Sequence, residues 1–116
     1  MFRAARGAIV VPENTRDAIL ASTGKVVEEM MARNHLALEQ VVSVIFTATE
    51  DLDAVFPAEA ARGIGFTTVP LLCAREIAVP GAMARVVRVL MHFESDDPEI
   101  AHVYLDGAER LRDDLA

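Results

Sequence analysis

The chain has 116 residues, 53% of them hydrophobic, and a formal net charge of −7. That length suits one domain with a buried core and is too short for two, and the apolar content excludes a disordered chain. With 18 acids against 11 bases, nucleic acid is a poor partner, because phosphates demand a basic surface, and no apolar run approaches the ~20 residues of a membrane span.

In chain order, Phe2 to Val11 is β-branched toward its end and closed by Pro12, which reads as a strand. The same opening, MFRAARGAIVVPEN, lacks the apolar stretch and cleavage site of a signal peptide, so none is expected. Asn14 and Thr15 offer helix caps, and Asp17 suits the first turn. Ile19, Thr23, Val26, Val27, Met30 and Met31 recur at helical spacing, predicting an amphipathic helix from Thr15 to Arg33. Glu29 and Arg33 stand four apart in the favourable order. Asn34 and His35 end this helix, and Gly24 weakens its middle. Val41 to Thr49 is apolar on both parities, the pattern of a central strand covered on both faces.

Glu50 to Asp53 forms an acidic turn, with Asp51 and Asp53 read as solvated. Pro57 opens a short helix, Ala58 to Arg62, which Gly63 and Gly65 stop. Thr68 to Ile77 is a further strand, and Pro80-Gly81 is a turn. Ala84 to Phe93 is again apolar on both parities. Ser95 to Pro98 is a polar loop, Ala101 to Leu105 fits a short strand or a helix end, and a charged tail follows. The order predicts an α+β fold, a mixed β-sheet packed against one long helix. One helix covers one face only. A second copy of the chain is the economical cover for the other, so a homo-oligomer is expected. A trimer lining a central barrel fits, although the pattern does not fix the number.

Lys25 is the only lysine, so arginine supplies the other cations. Arginine grips carboxylates in a bidentate way and tolerates partial burial. A G- and C-rich coding bias gives the same preference, so position decides. Alternation puts Arg6 on one face with Phe2, Ala4, Ala8 and Val10. It groups Arg88 with Val86 and Leu90, and Glu76 with Pro70, Leu72 and Ala74. Cys73 falls on the opposite parity. Arg6, Arg88 and Glu76 each interrupt a run that otherwise reads as buried, and a buried charge needs a counter-ion, water or a ligand. The plain alternative is an internal salt bridge from Glu76 to Arg88 or Arg6. The functional alternative is an anion pocket with a surplus positive charge, walled because the overall field repels anions. Arg3 and Arg85, of opposite parity, are read as surface or interface residues.

Other constellations are weak. Cys73, the only cysteine, rules out an intrachain disulfide and gives no sign of an oxidising compartment, so the cytoplasm is the expected address. Nothing places a histidine beside it, and a buried neutral thiol is the ordinary reading. His35, His92 and His102 lack metal-ligand spacing, so no metal is expected. Neither G-x-G-x-x-G nor a P-loop occurs.

The blocks RGAIVVPENT, TATEDLDAVFPAEAAR, VPLLCAREIAVPG, RVVRVLMHF and HVYLDGAERLRDDL, collinear across essentially the whole chain, resemble the small bacterial monofunctional chorismate mutases of the trimeric α/β-barrel-like class. The resemblance implies conversion of chorismate to prephenate, on the way to phenylalanine and tyrosine. It implies no cofactor and no metal, and sites between subunits of a homotrimer. It implies that Arg6 binds a carboxylate, that Arg88 contacts the ether oxygen and a carboxylate, and that Glu76 and Cys73 lie near the ring hydroxyl. Tyr104 is implied as a further carboxylate contact, Phe56, Ala58, Arg62 and Leu72 as the neighbouring subunit's wall, and Leu111 as part of the closing tail. The chain departs from the family in Glu59, where a lysine can occur, and in Leu72, where a threonine can occur. It ends at Ala116, where members often carry a longer tail. Two other readings stand beside this one: a trimeric imine or enamine deaminase, and a non-catalytic carboxylate-binding module.

Overall fold

The computed structural model describes residues 1–115, with side chains through Leu111. Five strands form one mixed sheet: β1 (Phe2–Val10), β2 (Val41–Ala48), β3 (Leu71–Arg75), β4 (Val86–Glu94) and β5 (Val103–Leu105), in the spatial order β3-β2-β4-β1-β5. β4 is antiparallel to both β1 and β2. The edge strands run parallel to their neighbours, β3 to β2 and β5 to β1. The long helix α1 (Arg16–Arg33) packs on β1 and against the short α2 (Ala58–Gly63). A 3-10 segment, Ala108–Leu115, ends the described chain.

Helix α1 forms where the apolar periodicity puts it. Thr15 Oγ1 accepts the Ala18 N–H at 3.1 Å, and the buried stripe is Ile19, Ser22, Thr23, Val26, Val27 and Met30. Asn14, the other candidate cap, has a different task. Its side chain accepts from the Asp53 and Ala54 N–H groups and donates to the Asp53 carboxylate, tying the acidic turn to the start of the helix. Gly7 lets the helix approach the sheet: a Cβ there would overlap Met30 Sδ and sit 3.2 Å from Val26 Cγ2.

Two strands are shorter than the apolar pattern predicts. The expected strand Thr68 to Ile77 contracts to Leu71–Arg75. Pro70 has no N–H to donate, and this edge strand has a partner on one side only. One further rung, from the Glu76 N–H to Ala48 O at 2.9 Å, precedes the turn. The strand expected from Ala84 starts at Val86, because Arg85 takes a φ of 52° and gives its N–H to the Asp51 carboxylate at 3.0 Å. Asp51 is therefore engaged by backbone rather than simply solvated. Ala101 to Leu105 resolves into edge strand β5.

The sheet has two unlike faces. Ala5, Ile9, Val44, Phe46, Val87, Val89, Met91 and Phe93 are buried on the α1 side. The other face carries Phe2, Arg6, Ile45, Leu72, Arg88 and Leu90, and α1 does not cover it; Phe2 is 57% and Leu72 61% exposed. Arg6 and Arg88 are accordingly exposed within a single chain, not buried as the runs around them suggest. Alternation assigns residues to faces but does not say which face the helix takes.

Gly7→Ala is expected to lower stability by about 1–3 kcal/mol through overpacking against Met30. Gly24→Ala, at a helix position where a Cβ meets nothing within 4 Å, is expected to raise it by about 0.5–1 kcal/mol. Urea unfolding of the two variants checks both signs.

Candidate active site

Strand register assembles the site. On the open face, Ala74, Thr47, Arg88, Ala8 and Tyr104 are successive cross-strand partners in one row across all five strands. Ala8 is the small, buried member between Arg88 and Tyr104, packed beneath Tyr104 and Leu111. Arg6 lies two residues along β1, opposite Leu90. Glu76 lies two residues beyond Ala74, so it keeps the same face. Arg6, Thr47, Glu76, Arg88 and Tyr104, with the apolar Ile45, Leu90 and Leu111, line a cavity of about 410 Å³. Five of the residues singled out from sequence are thus brought together: Arg6, Glu76, Arg88, Tyr104 and Leu111.

The charges in this cavity favour an anion. Arg88 Nε lies 3.7 Å from Glu76 Oε1, with the two side chains 50% and 24% exposed. At that distance the contact is an ion pair but not a hydrogen bond, and a half-exposed pair contributes only about 0–1 kcal/mol. The internal salt bridge therefore exists in a loose form that a ligand can displace. Among the described residues, the Arg6 guanidinium has no ion-pair partner. Two guanidinium groups against one carboxylate leave a local positive surplus in a chain of net charge −7.

Two residues of this region were not apparent as site residues from the pattern. The Thr47 hydroxyl donates to Glu76 Oε2. His102 Nδ1 accepts the Arg6 backbone N–H at 3.0 Å, fixing β1 where β5 begins. Thr47 reads in sequence as one member of an apolar strand. His102 sits in the H-V-Y-L block beside Tyr104, which is the signal that could have found it.

The remaining candidates lie elsewhere in the chain. Cys73 is three residues from Glu76, an odd spacing that turns it to the opposite face of β3, where it packs against the core. The expected pairing of Cys73 with Glu76 does not occur within one chain. Cys73 instead lines a second cavity, of about 570 Å³, with Phe56, Arg16, Glu59 and Arg75. Phe56, Leu72 and Arg62 are exposed, as a wall offered to a neighbour requires. Ala58, at the start of α2, is buried within one chain at 4% exposure. Glu59 is paired with Arg16 at 3.0 Å, so a positive group stands beside the acid that occupies this place. Among the described residues, no group of three or more His, Cys, Asp or Glu side chains could hold a metal. No helix there is long and apolar enough to cross a membrane.

Residues 2–115 match the family model described as chorismate mutase type I. The chain is 50% identical over 118 residues to chorismate mutase AroH of Thermus thermophilus, covering 99% of this chain and 97% of the relative. It is 40% identical over 119 residues to chorismate mutase AroH of Bacillus subtilis (strain 168), covering 100% and 94%. Among solved structures it resembles a chorismate mutase from Clostridium thermocellum, with a TM-score of 0.91, 47% identity, and coverage of 93% of this chain and 98% of that one.

Two guanidinium groups against one carboxylate predict that a small carboxylate anion binds in the cavity of Arg6 and Arg88. Arg6→Ala or Arg88→Ala should each weaken it by about 1.5–3 kcal/mol, the worth of a charge-assisted hydrogen bond. Titration calorimetry measures the loss, and unchanged affinity in both variants would contradict the assignment.

Proposed function

The chain belongs to the chorismate mutase type I family and has that activity, the rearrangement of chorismate to prephenate, and from this premise we propose which of its residues carry the reaction and how its copies assemble. The whole chain, residues 1–116, acts as one catalytic domain. Three copies form a cytoplasmic homotrimer with a site in each cleft between neighbours. Two features support the assembly: the sheet face left open by α1, and the placement of Phe56 and Cys73 in a second cavity, apart from Arg6, Glu76, Arg88, Tyr104 and Leu111. A cleft in which the first cavity of one copy faces the second cavity of its neighbour unites both sets. Phe56, Ala58, Arg62 and Leu72 then form the neighbour's wall, and Cys73, which shares the second cavity with Phe56, arrives with them to meet Glu76 near the ring hydroxyl. A single cysteine and the lack of a membrane-length apolar helix among the described residues support the address.

The reaction is an intramolecular pericyclic shift. One C–O bond breaks as one C–C bond forms, and no proton changes hands. The protein therefore has two tasks. It holds a flexible dicarboxylate in the compact conformer that brings the reacting carbons together, and it stabilises the negative charge that grows on the ether oxygen as the C–O bond opens. Arg6 pins one carboxylate, with Tyr104 as a further contact. Arg88 donates to the ether oxygen, where charge is larger in the transition state than in the ground state. Glu76 accepts from the ring hydroxyl and balances the guanidinium groups. Leu111 closes the cavity on the solvent side. The observation that carries this reading is the loose Arg88–Glu76 contact in the same cavity as Arg6. No observation favours a deaminase or a non-catalytic module.

Arg88→Lys keeps the charge and loses the planar fork. It is expected to cost roughly 10²–10³-fold in kcat, as loss of a preorganised donor does. Glu76→Gln should be milder than Arg88→Ala. The assay is the decay of chorismate absorbance; near-wild-type turnover in Arg88→Lys, or the reverse order of the other two variants, would contradict the roles assigned.

A further inference from the structure

We propose that Thr47 is a positioning residue for this reaction: its hydroxyl holds the Glu76 carboxylate off the Arg88 guanidinium and so keeps that guanidinium open to substrate. The inference rests on the site reading above. Thr47 stands in the cross-strand row between Ala74 and Arg88. Its Oγ1 donates to Glu76 Oε2, which leaves Oε1 as the oxygen facing Arg88 Nε at 3.7 Å. Among the described residues, Thr47 is the only side chain hydrogen-bonded to the Glu76 carboxylate. The Glu76 backbone is also held, by its N–H to Ala48 O at 2.9 Å. What freedom remains to Glu76 is in its side-chain torsions.

An unrestrained carboxylate beside a guanidinium closes into a two-pronged pair. That pair would occupy the fork that the substrate's carboxylate and ether oxygen need. Thr47, which stands between the two groups in the strand order, prevents the closure by engaging Oε2 and leaving only Oε1 to face Arg88. The residue thus decides between the two alternatives that the sequence leaves open, a quenched ion pair and an anion site. A competing internal pair must be broken before substrate binds and is broken equally for ground and transition states. Its cost therefore falls on KM and not on kcat.

The test is a double-mutant cycle on the full chain, with chorismate as substrate. Thr47→Val is expected to raise KM about tenfold, the scale of one hydrogen bond to a charged group, with the loss on KM rather than kcat. Thr47→Ser, which keeps the hydroxyl, should recover most of it. In a Glu76→Gln background the neutral amide has no charge to close on Arg88, so Thr47→Val should change KM by less than about twofold. An unchanged KM in Thr47→Val, or an equal rise in both backgrounds, overturns the proposal, the second result marking a merely structural role. Thr47→Ala runs the same comparison if the valine variant does not fold. Arg88→Ala, assayed in parallel, separates the two levels. Full activity there removes the site reading and this inference with it, whereas an inactive Arg88→Ala beside a Thr47→Val of wild-type KM removes this inference alone.

Discussion

The guanidinium of Arg88 sits in the middle of the sheet, on the face that the helix leaves bare, with a single carboxylate near it and not in hydrogen-bond contact. The rest of the structure serves that placement. β4 is paired along its length with β1 on one side and with β2 on the other, so the strand that carries Arg88 cannot shift without breaking ladders on both edges. Arg6 is fixed by the same β1–β4 ladder and by its backbone N–H to His102. Precision of this kind comes more readily from paired strands than from loops.

A sheet covered on one face by one helix has a second face to use, and the chain uses it for charge. The α1 side is filled by Phe46, Phe93, Met91 and Ile9, all buried, and takes the hydrophobic burden of folding. The open side is then free to carry arginines that a sealed core would not tolerate without partners. This division suits a reaction that moves no proton, since donors set in advance around a shaped cavity are what such a rearrangement asks of a protein.

Much of this is legible in the residues themselves, and the gaps have physical causes. Period-two alternation puts Arg6 and Arg88 each on one face of its strand without showing that α1 leaves this face open, and the 3.6 period places α1 with its Thr15 cap. The parity of Cys73 sets it apart from Glu76 within one chain. Thr47 is invisible because its role depends on β2 lying between β3 and β4, and strand order is a long-range property that no local pattern carries. β5 has three residues, too few for a periodic signal, and it forms because β1 offers it a parallel edge. The late start of β4, at Val86 rather than Ala84, reflects the contact of Arg85 with Asp51, 34 residues away in the chain.

The central claim, that each site joins the arginine cavity of one copy to the Phe56 wall of another, is tested most directly by complementation. Arg88→Ala and Phe56→Asp chains, each inactive alone, are unfolded together in equal amounts and refolded. Random assembly then gives about a quarter of the sites one intact half from each variant, and activity toward chorismate should return to about that fraction of the wild-type level. A mixture no more active than its separate components would contradict the account.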